Sequence, residues 1–575
     1  MQMKIANLQI QKFRSIDNST IKIGQISALV GANNAGKSHF LRALNAFFNY
    51  KDEREAFLNQ EHMYNSHARP KITVTFTDIQ PEDQINPDYI YNNSLTIRFT
   101  YRWDRQTPSY DVIKANHAQT ISVDQFESAI RHFRFIYVPI VRNYENAISG
   151  DGGIAYTLLK SIFQQQVANR NTIQPLVDRL TEKIENTVFR SALNSIKQYY
   201  PLGNAEFSIQ AMNREVVDLI LRSVSLFLFE NTQRNEINNC GSGIQSAVYF
   251  AISMAVAIED DVNYLVGIEE PELNMHPQAQ RQLIETLKSS EKYPRTQFIL
   301  TTHSTVIIDK LGHTSIVLCR KSKTTVRDVV TTATQTPSDF WQKYGFIQER
   351  YYNFYQYKNS DFFFSNFVII TESSNDCNII AALLAKYHID MELRAISLIP
   401  ANGEKNIKYP YALAKELGIP FICIVDRDVF QPYLADKRKD SLDENGIPQY
   451  RPERKASSPI YDLLEPNDLN MVLDAFINNQ YSRALELLYP YHIISMRYAI
   501  EVDLALCNSY CDAICNVLGL PAENRNTAYL LKNMNDRIKN YGVITATFDL
   551  ASRRNLPKSY RQIITCVKEM LSEHI

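Results

Sequence analysis

The chain has 575 residues, which is too long for one hydrophobic core, so two to four domains are expected. Its residues are 45% hydrophobic and 21% charged, which excludes wholesale disorder. The 61 basic and 62 acidic residues give a net charge of −1, so any nucleic-acid contact must depend on local basic segments. The N-terminus lacks an apolar signal core, and the most apolar stretch, 244–258, is too short to span a bilayer. We therefore predict a cytoplasmic protein without membrane association.

The first part of the chain alternates short apolar strands with one helix. Strands are predicted at 4–13, 19–31, 71–79, 94–103 and 132–141, with a helix at 38–50. Residues 154–229 change to a helical, polar pattern with few turn signals. This segment is either an inserted dimerisation arm or additional helical core of the same domain, and both interpretations stay open.

Strand and helix alternation returns at 239–329, and a second alternating block starts at Asn366. An unusually aromatic connector separates the two blocks, and the chain becomes mainly helical after Arg451. The predicted α/β architecture has a first α/β part at 1–150, a helical insertion at 151–233 and a second part of the same α/β domain at 234–330. The connector at 331–365, a second α/β core at 366–450 and a helical region at 451–575 follow.

A phosphate-binding loop follows the second predicted strand. Residues 31–38 read GANNAGKS, which fits G-x-x-x-x-G-K-[ST], and an apolar strand precedes them while a helix follows. Such a loop turns backbone N–H groups toward nucleotide phosphates. We expect Lys37 to reach the β- and γ-phosphates of ATP and Ser38 to ligate Mg²⁺. The other predicted nucleotide-binding positions of the loop are Asn33, Asn34 and Gly36.

Three further motifs follow the loop in the chain. Residues 264–272 read YLVGIEEPE, an apolar strand ending in carboxylates, so Glu269 is assigned to the metal and Glu270 to the attacking water. Upstream lies a G-S-G turn before a helix start, with Ser242 and Gly243 as anion contacts. Downstream, His303 ends the apolar strand QFILTT.

The order of these four motifs resembles the ATP-binding-cassette head of the SMC-type chromosome and DNA-repair ATPases. The resemblance implies head-to-head dimers, in which Ser242 and Gly243 face the phosphate-binding loop of the other subunit across ATP. It also implies that His303 touches the γ-phosphate. Most relatives have Asp at the position of Glu269, so the rate of ATP turnover is left open.

A second group of acidic residues follows strands of the later α/β block. Glu372 ends the strand NFVIIT, and Asp426 and Asp428 follow the strand IPFICIV. Three parallel strands with crossover helices would bring these strand ends to one crevice. Carboxylates this close repel one another unless cations lie between them, so one or two Mg²⁺ or Mn²⁺ ions are predicted. Such a site activates water for phosphodiester cleavage.

Glu after one strand and D-x-D after a later one resembles the Toprim domain of topoisomerases, primases and certain nucleases. By this resemblance Asp376 binds a second ion, and Gly403 forms the turn after the middle strand. An ABC head followed by a Toprim domain resembles the overcoming-lysogenization-defect (OLD) family of nucleases, including the Gabija nuclease subunit and retron effectors. This implies metal-dependent DNA cleavage, homo-oligomers, an anti-phage defence role, and a co-encoded defence protein or retron nucleic acid as partner.

Two features depart from the family pattern. The family has a further acidic residue in a helix after the D-x-D, where this chain offers Asp468 or Glu465 and has Asn470 at the expected position. The family also has a lysine near the C-terminus that neutralises transition-state charge. Lys532 is the first candidate, with Lys539 and Lys558 behind it.

The resulting hypothesis is an ATP-binding, divalent-metal-dependent DNA endonuclease in which ATP gates the cut. The alternative is an ATPase switch or scaffold with a degenerate, non-cleaving Toprim site. Basic segments starting at Arg320, Asp436, Arg451 and Arg553 either steer nucleic acid or form ordinary solvated surface. A primase or topoisomerase is disfavoured because no tyrosine stands in a recognisable DNA-cleavage context.

Overall fold

The computed structural model describes the chain in several segments. These are residues 3–140 apart from 66, 67 and 116, seven positions between 179 and 191, 227–245 apart from 231, 232 and 242, positions 248 and 251, 262–289, 295–323, 329–347 and 360–573. The predicted insertion at 151–233 therefore lies largely outside the described residues. The chain divides into two compact units: 1–29, 33–310 and 319–333 form the first, while 30–32, 311–318 and 334–575 form the second.

The first unit contains an antiparallel sheet that is buried on one face. Its strands follow the order β2-β1-β4-β6-β7-β8, with the short β5 beside β6. Buried and half-buried residues alternate along β4 and β6, as expected of a sheet with one face toward a core. The strands are Lys4–Phe13 (β1), Ile16–Lys22 (β2), Lys71–Thr77 (β4), Ile90–Tyr91 (β5), Ser94–Arg102 (β6), Thr107–Lys114 (β7) and His117–Ile121 (β8).

A second sheet carries the nucleotide motifs. Its order is β15-β14-β3-β13-β12-β9, and β12 pairs in parallel with both β13 and β9. Every residue of β3 and β13 is buried, as expected of strands that are covered on both faces of a sheet. The strands are Ile26–Val30 (β3), Phe133–Val138 (β9), Asn263–Glu269 (β12), Thr296–Thr302 (β13), Ile316–Lys323 (β14) and Val329–Thr334 (β15). The strands Phe227–Glu230 (β10) and Gln233–Glu236 (β11) pair antiparallel in a separate two-stranded sheet.

The helices described up to residue 343 are few and short. They include the helix that follows the phosphate-binding loop, which buries Phe40, Leu41, Leu44 and Phe47. Their bounds are Lys37–Phe48, Tyr50–Leu58, Val123–Ala129, Pro277–Lys288, Thr305–Ile308 and Phe340–Lys343. None of the helices in the described part of the chain combines the length and the apolar character that a membrane span requires.

The second unit is built on a four-stranded parallel sheet of order β17-β16-β18-β19. Its strands are Phe367–Thr371 (β16), Ile396–Pro400 (β17), Phe421–Val425 (β18) and Ile493–Ser495 (β19). The first part of this unit has the helices Ser374–Lys386, Met391–Arg394 and Lys408–Leu417. The later helices are Pro466–Ile477, Tyr481–Leu488, Ile500–Ala505, Asn508–Val517, Thr527–Asn533, Asn535–Ile538, Tyr541–Leu550 and Lys558–Glu573.

The structure corrects several sequence expectations. The strand predicted at 19–31 is two strands, β2 and β3, because residues 23–25 leave the first sheet before the chain enters the second. The strands β7 and β8 were missed. The second unit has four parallel strands rather than three, since the three-residue β19 is too short to show a strand pattern. The mainly helical character after Arg451 is otherwise confirmed.

Candidate functional site

The phosphate-binding loop connects β3 to the helix Lys37–Phe48. Gly36 has φ +92°, and a Cβ there would lie 2.2 Å from the Thr331 Oγ1 atom, so only glycine fits. The Thr331 hydroxyl donates to the Ala35 carbonyl at 3.0 Å and fixes the end of the loop. Lys37 is buried, which lowers the pKa of its ammonium group. The other loop positions are more open: Asn33 and Asn34 are exposed, and Ser38 is half-buried.

The carboxylates predicted to serve ATP lie at the end of β12. The backbone N–H of Glu270 donates to the Thr301 carbonyl at 3.0 Å, which ties the end of β12 to β13. The Glu269 carboxylate accepts the backbone N–H of Ile140 at 3.3 Å. The His303 Nε2 atom lies 3.7 Å from the Glu270 carboxylate. Burial and then nearby Lys37 lower the pKa of His303, which shows that these motifs are gathered at one place.

A third carboxylate, which the sequence interpretation left without a role, anchors the histidine. Glu272 Oε1 accepts the His303 backbone N–H at 2.7 Å and the Thr302 hydroxyl at 2.8 Å. Burial raises the pKa of Glu272, while the His303 N–H and the Thr302 hydroxyl oppose that rise. The E-E-P-E spacing was the available signal, because the Pro turn carries Glu272 back toward the end of β13.

The structure describes only part of the G-S-G turn that precedes β12. Ser242 lies outside the described residues. A Cβ on Gly243 would lie 2.6 Å from the Asn274 carbonyl oxygen, so the backbones approach too closely for a side chain. The predicted contact of Ser242 and Gly243 with a second subunit remains a prediction.

The second unit brings three predicted acidic residues together. Glu372 follows β16, and Asp426 and Asp428 follow β18. One carboxylate oxygen of each lies within 4.8 Å of the others. The Glu372 Oε1 atom accepts the Asp426 backbone N–H at 2.8 Å, and the Asp426 Oδ1 atom accepts the Ile500 backbone N–H at 2.9 Å. Parallel pairing of β16 with β18 accounts for this meeting of strand ends.

Burial and mutual repulsion disfavour three negative charges in this cluster. Burial, followed by Asp428, raises the pKa of Glu372 to about 8. Burial, followed by Glu372, raises the pKa of Asp426 well above its ordinary value. Burial also raises the pKa of Asp428, with Lys455 opposing the rise. Carboxyl groups that retain protons are ready to exchange them for a divalent cation, and the all-oxygen donor set fits Mg²⁺ or Mn²⁺.

Asp376 lies beside the cluster at the start of the helix Ser374–Lys386. Its Oδ2 atom accepts the Ser373 backbone N–H at 3.0 Å, and the Ser373 hydroxyl accepts the Asp376 N–H in return. Its Oδ1 atom lies 3.3 Å from Lys539 Nζ. After the turn from β17, Gly403 has φ +120° and donates to the Glu372 carbonyl at 2.8 Å. The predicted glycine turn is therefore present.

Glu501 is a further acidic residue near the cluster. It is fully buried in the helix Ile500–Ala505, lies 3.1 Å from Lys539 Nζ and pairs with Arg438. Its charge raises the pKa of Asp426. The two residues that the sequence offered for a further acid are placed differently. Asp468 accepts a hydrogen bond from the Tyr491 hydroxyl at 2.6 Å, and Glu465 is exposed. Which of these acidic residues completes the site stays a prediction.

The three candidate lysines occupy different positions. Lys532 lines a cavity of about 660 Å³ that also borders Asp426 and Asp428. Lys539 is the more buried and contacts both Asp376 and Glu501, whose charges raise its pKa. Lys558 lines another cavity. Of the three lysines, Lys539 is the one that contacts acidic side chains next to the cluster.

Comparison with known proteins matches both units. Residues 26–309 match the family described as "AAA domain, putative AbiEii toxin, Type IV TA system". Residues 363–428 match the family described as "Overcoming lysogenization defect protein-like, TOPRIM domain". The matched segments contain the phosphate-binding loop and the acidic cluster, respectively.

Three curated relatives match both units together. The chain is 22% identical to the OLD nuclease of Thermus scotoductus, over 76% of this chain and 84% of that protein. It is 21% identical to the Old nuclease of Escherichia phage P2, over 77% and 80% of the two chains. It is also 21% identical to the endonuclease GajA of Bacillus cereus, over 74% and 75%. The combination of an ATPase unit and a Toprim unit is therefore shared along most of each chain.

Proposed function

Because the chain belongs to the overcoming-lysogenization-defect family of ATPase–Toprim proteins, we propose that it is a DNA endonuclease that requires a divalent metal and binds ATP. The observation that carries the proposal is the meeting of Glu372, Asp426 and Asp428 within 4.8 Å. A degenerate, non-cleaving site is disfavoured because all three acidic side chains are present and adjacent.

The acidic cluster would hold the metal through Glu372, Asp426 and Asp428, with Asp376 beside it for a second ion. Bound Mg²⁺ or Mn²⁺ supplies Lewis acidity and a nucleophilic water for hydrolysis of a phosphodiester. Glu372 keeps the Asp426 backbone in place through their 2.8 Å hydrogen bond. Lys539 offers a cation toward developing negative charge, and Lys532 stays a candidate for the same role.

ATP would bind the first unit and regulate the cut. Lys37 would contact the phosphates and Ser38 would ligate Mg²⁺. Glu269 would bind the metal and Glu270 would polarise the attacking water. His303 would contact the γ-phosphate. We propose a homodimer or higher homo-oligomer in which Ser242 and Gly243 complete the nucleotide site of the partner. The proposal includes a cytoplasmic role in anti-phage defence, with a co-encoded defence protein or a retron nucleic acid as partner. The similarity to the endonuclease GajA of Bacillus cereus supports the nuclease part of it.

The test is incubation of the purified protein with plasmid and phage DNA in Mg²⁺ or Mn²⁺. The Asp426→Ala/Asp428→Ala variant should lose cleavage, whereas Asp436→Asn/Asp440→Asn, which alters exposed acids of the same unit, should keep it. Equal cutting by the unaltered protein and by Asp426→Ala/Asp428→Ala would exclude Toprim catalysis. A Lys37→Ala variant shows whether nucleotide binding activates or restrains the cut.

A further inference from the structure

A second cavity of about 620 Å³ lies in the same unit as the acidic cluster. Three exposed cationic side chains line it, from Arg483, Arg497 and Lys558. The half-buried Tyr498 adds an aromatic ring, and the Arg497 guanidinium lies 5.5 Å from that ring's centre. The size is within the range of ligand-binding pockets, about 300–1,000 Å³.

The cavity has an excess of positive charge. The carboxylate in its lining is Asp503, whose side chain is buried and accepts the backbone N–H groups of Arg497 and Tyr498 at 2.8 and 3.0 Å. The Ser559 hydroxyl donates to the same carboxylate at 2.7 Å. Asp503 is thus occupied by structural hydrogen bonds. Among the residues that the structure describes, Arg483, Arg497 and Lys558 form no salt bridge. The Lys558 ammonium group donates to the hydroxyl of Ser482 in the same lining, and its positive charge is not neutralised by that contact.

The cavity adjoins the acidic cluster through the sheet. Arg497 and Tyr498 leave β19 at its C-terminal end, and β19 pairs in parallel with β18. The Tyr498 carbonyl accepts the backbone N–H of Arg427 at 2.9 Å, and Arg427 stands between Asp426 and Asp428. The cavity wall and the acidic cluster therefore start from adjacent strand ends at one edge of the sheet.

A basic loop continues the positive surface away from the cluster. Arg553 and Arg554 are exposed, and the loop leads directly to Lys558 in the cavity. The Cys507 thiol donates to the Asn555 carbonyl at 2.6 Å, which holds the loop against the cavity lining. Arg553 and Arg554 thus add two exposed cations to the chain segment that precedes Lys558.

We propose that this cavity binds a single-stranded stretch of the DNA substrate next to the phosphodiester that is cut. The inference rests on the proposed nuclease function. The cations contact successive phosphates, as in strand sites whose affinity does not depend on base sequence. A strand rather than a free anion fits because the three cationic side chains are exposed, whereas a site for a single small anion would bury them.

The test measures binding of a fluorescein-labelled oligothymidine of about 15 nucleotides, a length matched to strand-binding sites. EDTA is present so that cleavage does not interfere. The Arg483→Ala/Arg497→Ala/Lys558→Ala variant should bind at least about tenfold more weakly, and its plot of log affinity against log salt should be shallower by about 2, since each phosphate contact on a single strand contributes about 0.7. The matched control changes three exposed cations outside the cavity to Ala: Arg394, Lys415 and Arg525.

Further arms separate the outcomes. The Arg483→Lys/Arg497→Lys variant keeps the charge and should restore the salt slope, and equal melting temperatures show that the variants are folded. An unchanged slope in the triple alanine variant, or displacement of the strand by thymidine monophosphate at equal nucleotide concentration, would overturn the inference. Absence of cleavage by the unaltered protein counts against the proposed nuclease instead, because strand binding in EDTA does not require the metal.

Discussion

Glu272 holds His303 by accepting its backbone N–H at 2.7 Å, immediately after β13. The same oxygen accepts the Thr302 hydroxyl at 2.8 Å, so one carboxylate fixes the strand end that presents the histidine. The His303 ring is then 3.7 Å from Glu270. We therefore predict that Glu272 is a positioning residue, which would act on ATP chemistry through the histidine.

Replacing Glu272 should impair ATP turnover more than ATP binding. In Glu272→Ala, two donors lose their acceptor, which costs about 1–3 kcal/mol of stability and releases the His303 backbone. We expect ATP hydrolysis to fall at least about tenfold, a loss of about 1.4 kcal/mol in transition-state stabilisation, with a nearly unchanged nucleotide Kd. Glu285→Gln, an exposed change in the same unit, is the control. Normal turnover in Glu272→Ala would remove the positioning role.

Glycine at position 36 should be required for nucleotide binding. An alanine there would have to adopt φ +92° and place its Cβ 2.2 Å from Thr331 Oγ1, so the loop must shift. Gly36→Ala should abolish detectable ATP binding in calorimetry. In the control Gly24→Ala, the added Cβ would meet its nearest neighbour at 3.7 Å, so binding should persist. ATP binding by Gly36→Ala with unchanged affinity would contradict this account.

The acidic residues at the strand ends could be predicted from the sequence, whereas the contacts of Glu501 and Lys539 could not. Glu372 and the D-x-D pair were identified because each follows a short apolar strand, and parallel strand ends meet at one sheet edge. Glu501 was missed because it sits in a six-residue helix after the three-residue strand β19, where no periodic pattern can develop. Local sequence contained no sign that Lys539 would be partnered by Asp376 and Glu501, since both contacts join distant positions and the one with Asp376 spans 163 residues.

Removal of Lys539 should affect both stability and cleavage. Its ammonium group is largely buried between Asp376 and Glu501, so Lys539→Met leaves two acids with less compensation and should cost about 3 kcal/mol of unfolding free energy. Lys532 is exposed on the cavity wall, so Lys532→Met should leave the melting temperature unchanged. Plasmid cleavage at a temperature where both variants are folded then assigns the catalytic lysine. Full activity of Lys539→Met would return that role to Lys532.

The acidic cluster should make stability and metal binding depend on pH in opposite directions. In the metal-free protein the pKa of Glu372 is raised from its ordinary 4.5 to about 8, chiefly by burial and then by Asp428. Between these values the folded state holds a proton that the unfolded state has released, so the unfolding free energy should decrease as pH rises toward 8. A divalent cation replaces that proton, so its affinity should increase over the same interval.

Calorimetry with and without Mn²⁺ checks both trends against Glu372→Gln, which cannot titrate at this position. The unaltered protein should lose melting temperature with rising pH more steeply than Glu372→Gln when EDTA is present, and Mn²⁺ binding should release protons to the buffer. Glu486→Gln, an exposed change in the same unit, should behave like the unaltered protein. If the melting temperatures of the unaltered protein and of Glu372→Gln depend on pH in the same way, Glu372 is already ionised without metal. Other groups of the protein would then compensate the negative charge of the cluster, and a cation would not be needed for that purpose.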